Sequence, residues 1–154
     1  MKKILRIALL FCLAPLAVAA AGSPALLITD AWIRALPPGQ PNTAAYMTLT
    51  NSGTAAVVVI GASTEIARKA EIHTTVEVDG LQRMEQLAQL SIAPGESVAL
   101  APGGTHLMLL GLARRPAPGD EIGLCLQLEA AEQVCTTADV RMSAGAGQSH
   151  DHHH

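Results

Sequence analysis

The sequence predicts an all-β protein built as a Greek-key β-barrel or β-sandwich. Short apolar stretches, rich in β-branched residues or alternating with polar ones, recur along the chain. Turns that contain Pro or Gly separate them at intervals of about eight to twelve residues, which is typical of this class. The one exception to the strand pattern is a helical turn predicted near Ser63–Lys69. The length of 154 residues corresponds to one domain.

Residues 1–21 are predicted to form a secretory signal peptide, followed by a folded domain over 22–141. The first six residues contain three basic side chains, residues 7–18 are apolar, and small residues then offer cleavage sites. The apolar run is short for a membrane span. We therefore expect a periplasmic protein with no stable membrane insertion after cleavage. A buried or membrane-anchoring first helix is the alternative.

The mature chain is predicted to form a series of short strands. Three prolines between Leu36 and Pro41 define a loop, because proline cannot pair in the interior of a sheet. Pro94-Gly95 and Pro102-Gly103-Gly104 mark two further turns. The predicted strands cover 26–29 and 31–34 (as one or two strands), 44–50, 55–61, 70–78, 81–87, 91–100 (two short strands), a strand from His106 onward, 121–128 and 133–140.

The dipeptide Asp79-Gly80 between two alternating stretches predicts a tight β-hairpin. A two-residue turn pairs Val78 with Leu81, and therefore Thr75 with Met84. His73 and Met84 then share one face as diagonal neighbours. Such neighbours lie about 7–8 Å apart at the backbone, a separation that long side chains can bridge through a metal ion.

His106 and Met108 are two residues apart on a predicted strand, so their side chains leave the same face. His73 and His106 are the only histidines before residue 150. Thioether sulfur is a soft ligand that suits Cu(I) and binds Zn²⁺, Ca²⁺ or Mg²⁺ poorly. We therefore predict a site for one Cu(I) formed by His73, Met84, His106 and Met108. Taken singly, a Met on a strand is more often core filler, and a lone His is more often a satisfied or surface residue.

Two of the three cysteines are predicted to form a disulfide. Cys12 lies in the signal peptide, in a context unlike a lipoprotein cleavage site. Cys125 and Cys135 remain in an oxidising compartment, where a pair of cysteines normally forms a disulfide. A hairpin turn centred on Ala130 places them directly opposite each other, close to the separation that a disulfide needs.

The C-terminal segment 142–154 is predicted to be a flexible, His-rich tail. His150, His152, His153 and His154 are predicted as an auxiliary metal site for an additional Cu(II) or Zn²⁺ ion. The alternative is the remnant of an affinity tag, but the intact signal peptide favours a native tail.

Charge and residue types exclude several function classes. Without its signal peptide the chain carries seven basic and thirteen acidic residues, a net charge of −6. A nucleic-acid-binding domain is typically basic, so no nucleic-acid partner is expected. The sequence contains no recognisable His–carboxylate–nucleophile arrangement, so an enzyme is not expected. Asp30, Glu71 and Glu85 are interpreted as solvated strand positions. We expect a monomer.

The spacing H-x10-M-x21-H-x-M, filled here by His73, Met84, His106 and Met108, is similar to the motif of the periplasmic copper chaperones called PCu(A)C. The likeness extends from "DAWIRALPPGQPNTAAYMTLTNSG" through "PGGTHLMLLGL" to "PGDEIGLCLQLEAA". It implies a cupredoxin-like β-barrel that binds Cu(I) with these four side chains at its surface. It also implies delivery of copper to the binuclear copper site of cytochrome c oxidase. Members often carry Met after the first His, where this chain has Thr74, and this removes one auxiliary sulfur.

Two rival functions remain open from the sequence. A blue-copper electron carrier needs a Cys thiolate beside two His, and both mature cysteines lie far along the chain from the motif. A periplasmic copper-buffering or resistance protein without a dedicated client is the second rival. For a chaperone, the partner is the copper-bearing subunit of the oxidase or another periplasmic copper protein.

Overall fold

The computed structural model describes residues 25–130 and 133–142 and places ten β-strands there. The predicted signal peptide (1–21) and the four histidines of the predicted tail lie outside the described residues. No helix within the described part of the chain is long and apolar enough to cross a membrane. The strands are β1 (Leu26–Arg34), β2 (Asn42–Asn51), β3 (Val57–Thr64), β4 (Ala67–Val78), β5 (Leu81–Gln86), β6 (Leu90–Ile92), β7 (Ser97–Leu100), β8 (His106–Leu112), β9 (Glu121–Leu128) and β10 (Gln133–Arg141).

Seven of these strands form a closed barrel, in the spatial order β4-β8-β2-β1-β10-β9-β3. The pairing of Ala62 on β3 with Ala70 on β4 closes the circuit. The β1–β10 pair is parallel, whereas the other pairings between described strands are antiparallel. Closure leaves the seven barrel strands without a free edge, which is one way that a β-protein avoids edge-to-edge association. The all-β barrel predicted from the sequence is confirmed.

An aliphatic core fills the barrel, because each strand turns alternate residues inward. On β9 the inward residues Ile122, Leu124, Leu126 and Leu128 are all buried in one core cluster. Asn51 is a fully buried polar side chain, and its amide donates hydrogen bonds to the carbonyls of Ala55 and Ile92. The bond to Ile92 satisfies a buried backbone carbonyl, as buried polar groups generally require.

The hairpin of β9 and β10 has the register that the sequence predicts. Cys125 pairs with Cys135 and Leu126 pairs with Val134. A disulfide joins Cys125 to Cys135 across this pair. It lies on the outer face of the hairpin, because the neighbouring β9 side chains Leu124 and Leu126 point into the core.

The stretches 26–29 and 31–34, predicted as one or two strands, form one strand, β1. It contains an irregularity between Thr29 and Trp32, where Asp30 has φ 50°. The helical turn predicted near Ser63–Lys69 is wrong. β3 continues to Thr64 because its end pairs with β9, and a two-residue turn then leads into β4. Pairing with a neighbouring strand decides the local structure here, against the local pattern.

Candidate metal centre

The strand β4 connects the barrel to an arm that projects from it. Its first part pairs with β8 from Ala67 to His73, and its last part pairs with β5 from His73 to Val78. His73 lies where the two pairings meet, opposite His106 on β8 and opposite Gln86 on β5. The two predicted imidazole ligands are therefore direct cross-strand neighbours.

The β4–β5 hairpin brings Met84 to the same face as His73. Thr75 pairs with Met84, as the sequence predicts from a two-residue turn. Asp79 and Gly80 have φ angles of 54° and 75°, the left-handed values that this turn requires at both central residues. Met84 is 55% exposed on the projecting arm. Its thioether therefore lies at the solvent-facing side of the site.

His106 and Met108 lie on the outer face of β8. The alternate residues Leu107 and Leu109 are fully buried in the core, so His106 and Met108 face away from it. His106 is nevertheless only 5% exposed. Its Nδ1 lies 2.9 Å from the carbonyl oxygen of Gly104, which can only accept a hydrogen bond. The neutral ring therefore carries its proton on Nδ1 and keeps the lone pair of Nε2 free for a metal.

A cavity of about 300 Å³ opens on this outer face. Three of the four predicted ligands, Met84, His106 and Met108, line it directly. The other lining residues come from the end of β1, the proline-containing loop and β2, together with Thr75 and Gly103. The described structure thus brings residues from β5 and β8 to one depression, although they are more than twenty residues apart in the sequence.

The separation of the two imidazoles fits a shared metal ion. An imidazole nitrogen binds a metal at about 2.0–2.1 Å, which puts the ring centroid about 3.2 Å from the ion. Two rings on one ion therefore have centroids no more than about 6.4 Å apart. The centroids of His73 and His106 are 6.2 Å apart. The distance between the two rings is therefore within the range for two imidazoles that share one metal ion.

Two aromatic residues and an arginine support the site, and sequence reasoning did not assign them to it. The rings of Trp32 and Tyr46 lie 4.4 Å apart, and Tyr46 lies 6.3 Å from the ring of His106. The guanidinium of Arg34 lies 5.2 Å from the centre of the Tyr46 ring. Burial raises the pKa of Tyr46, and the positive charge of Arg34 partly opposes this rise. Tyr46 therefore remains a neutral, packed wall of the cavity. The sequence did contain a signal for them, because Trp32 and Tyr46 are the only tryptophan and tyrosine in a chain whose core is aliphatic.

The sequence interpretation also did not assign Glu71 to the site. Its side chain is only 21% exposed, and its Oε2 lies 3.1 Å from Nε2 of His73. The interpretation of Glu71 as a solvated strand position is therefore wrong. The signal was its position two residues before His73, which puts both side chains on one face. The other ring nitrogen of His73, Nδ1, is buried and has no hydrogen-bond partner within residues 25–130 and 133–142.

The donors at this site are soft and uncharged. Within the described residues, no group of three His, Cys, Asp or Glu side chains is arranged to hold a metal ion. The two described cysteines are joined to each other and supply no thiolate. Two imidazoles and two thioethers are the ligand chemistry that the outer face offers, and this chemistry suits Cu(I) better than a hard divalent cation.

Comparisons with known proteins identify the family. Residues 26–140 match the family model described as "Putative lipoprotein LpqE-like". The chain belongs to this family, that of the PCuAC domains. One relative is "Putative lipoprotein Lxx21020" of Leifsonia xyli, which is 29% identical over 124 residues, or 80% of this chain and 74% of the relative.

Solved PCuAC structures show the same fold. The apo PCuAC domain from PmoF1 superimposes with a TM-score of 0.65 at 24% identity, covering 77% of this chain and 95% of that domain. The solution structure of CuI-DR1885 from Deinococcus radiodurans gives a TM-score of 0.63 at 33% identity, covering 80% of this chain and 85% of that one. The cupredoxin-like barrel that the motif resemblance implies is confirmed.

Proposed function

We propose that this protein is a periplasmic copper chaperone that binds one Cu(I) through His73, Met84, His106 and Met108. The observation that carries the proposal is the convergence of two imidazoles and two thioethers on one outer face of the barrel. Copper-bound forms among the structural relatives, the Cu(I) form of DR1885 and a copper-bound PmoF2 domain, support the choice of metal. The four-residue site itself rests on the geometry of this chain.

The ligands differ in exposure, and this difference suggests a route for copper transfer. Met84 is 55% exposed on the projecting arm, whereas His106 is 5% exposed beneath it. A ligand from a partner can replace the exposed thioether while the buried imidazole still holds the ion. Copper then passes from one protein to the other without release into solution. A storage protein has no need of such an exposed ligand, so Met84 favours the chaperone over the buffering protein.

The proposed recipient is the copper-bearing subunit of cytochrome c oxidase or another periplasmic copper protein. The family model and the Leifsonia relative are both described as putative lipoproteins, which supports an exported protein. Export agrees with the signal peptide predicted over 1–21. Additional Cu(II) or Zn²⁺ on the tail histidines stays a separate prediction, since those residues lie outside the described part of the chain.

The experiment has a binding stage and a transfer stage, both with the mature protein. Titration with Cu(I) followed by native mass spectrometry should show a monomer with one tightly held ion. Transfer to the copper-binding domain of an oxidase subunit is then followed by the change in mass of both proteins. We expect transfer to be slower at high salt, because the net charge of −6 should steer docking onto a basic partner. Tight binding without transfer to any copper protein would favour the buffering function, and failure to bind Cu(I) would contradict both.

A further inference from the structure

We propose that His73 binds copper through Nδ1 and that Glu71 is the residue that fixes this choice of nitrogen. The inference rests on the proposed copper site and adds a positioning role for a carboxylate next to it. Glu71 accepts a hydrogen bond from the Nε2–H of His73, and this leaves the lone pair of the ring on Nδ1. His106 has the opposite arrangement, with Nδ1 held by a carbonyl and Nε2 free.

The first step is the tautomer of His73. Nε2 of the ring lies 3.1 Å from Oε2 of Glu71, and an ionised carboxylate can only accept a hydrogen bond. A neutral imidazole carries one N–H, so the hydrogen bond puts the proton on Nε2. The lone pair that a metal needs is then on Nδ1.

The second step is the state of Nδ1 in the protein. This atom is buried, and it has no hydrogen-bond partner among the described residues. A buried polar atom without a partner is rare, because its lost hydration is not replaced. A metal ion bound to Nδ1 would remove this deficit. The orphaned atom is thus a positive sign of a ligand that approaches from its side.

The third step is what holds Glu71 itself. Glu71 pairs with Met108 across the β4–β8 ladder, just as His73 pairs with His106. Its Oε1 lies 3.9 Å from Nζ of Lys69, a long ion pair with a largely exposed partner. The carboxylate is therefore fixed by its place on the strand and by His73. Metal-binding histidines in general donate their second N–H to a carboxylate or carbonyl, and the two histidines here use one of each.

The decisive measurement shows which ring nitrogen of each histidine changes its ¹⁵N chemical shift when Cu(I) binds. The mature protein is labelled with ¹⁵N at histidine, and two-bond ¹H–¹⁵N correlations are recorded without metal and with one equivalent of Cu(I). We expect His73 to show a protonated Nε2 before Cu(I) addition and a copper-induced shift at Nδ1. His106 should show the shift at Nε2. A shift at Nε2 of His73 would overturn the inference and leave the copper site in place, whereas no shift at either histidine would overturn both.

A variant series tests the role of the carboxylate. Glu71→Leu removes the acceptor, and we expect Cu(I) affinity to fall by about 10- to 100-fold, the usual effect of losing such a partner. Glu71→Gln keeps an acceptor oxygen and should recover part of the loss. Glu85→Gln on the exposed arm removes the same charge and should change affinity by less than about twofold.

A spectroscopic readout separates positioning from a merely structural effect. In Glu71→Leu we expect the free His73 ring to show a mixture of both tautomers in the same ¹H–¹⁵N spectra, while the backbone spectrum stays folded. An unchanged tautomer and an unchanged affinity in Glu71→Leu would contradict the positioning role. A rise in affinity would do so as well, because it would mean that Glu71 competes with copper for Nε2.

Discussion

Removal of the Cys125–Cys135 disulfide should destabilise the domain without affecting copper. The perturbation is the double substitution Cys125→Ser and Cys135→Ser. The two residues are ten apart in the sequence. A loop of that length has a closure entropy of about 9 cal/mol/K in the unfolded chain, or about 2.7 kcal/mol at 25 °C. The disulfide lies on the outer face of the hairpin, so little core packing is lost in addition.

The assay is urea unfolding of the oxidised protein and the double variant, followed by the fluorescence of Trp32, the only tryptophan. We expect the free energy of unfolding to fall by about 2–3 kcal/mol. Addition of a reductant should then lower the wild-type value to that of the variant and leave the variant unchanged. A loss below about 1 kcal/mol would refute the chain-entropy reasoning. A change in Cu(I) affinity would refute the assignment of the cysteines to structure alone.

Three further predictions concern the core, the cavity and the response to acid. Asn51→Ala should cost about 1–3 kcal/mol in urea unfolding, because the buried carbonyl of Ile92 loses its donor and the part-buried carbonyl of Ala55 loses its hydrogen bond as well. Arg34→Gln should raise the pKa of Tyr46 further, because the positive charge of Arg34 opposes the effect of burial in the wild type. An ultraviolet titration of this single tyrosine measures the change. The carboxyl of Asp120 accepts a hydrogen bond from the backbone N–H of Ala117 and another from the side chain of Arg114. The first lowers the pKa of the carboxyl most, and together they hold it below 3.8. That contribution to stability is present above its unfolded pKa and is lost as pH falls through its folded pKa, so Asp120→Asn should show a shallower loss of stability in acid.

The sequence predicts most of the site because its elements are local or carry strong turn signals. Asp79-Gly80 specifies a turn of two residues, and that alone determines the pairing of Thr75 with Met84. The pairing of Cys125 with Cys135 follows in the same way from one hairpin. The pairing of His73 with His106 does not follow from either hairpin, because β4 and β8 are separated by three strands in the chain. Only the spacing motif connected them before the structure did.

The remaining features depend on contacts between distant segments. Asp30 interrupts β1 without ending it, because β2 pairs with the strand on both sides of the irregularity. The sequence around His106 also does not predict that this side chain, on the outer face of β8, is buried. It results from the position of the ring between Tyr46 on β2 and His73 on β4, with ring centroids within 6.3 Å on both sides. The sequence shows that Tyr46, His73 and His106 are present, but it does not show that their rings lie next to one another.

Replacement of the two thioethers tests the copper site most directly. Met84→Leu and Met108→Leu together keep the side-chain volume and remove both sulfur atoms from the mature protein. The matched control is Met142→Leu, because Met142 is 58% exposed and Met84 is 55% exposed. Cu(I) affinity is measured by competition with a chelator, with the tail histidines present in every variant. The account predicts a loss of at least about 100-fold for the double variant and less than about twofold for the control. Equal Cu(I) affinity in the double variant and the wild type would contradict the site.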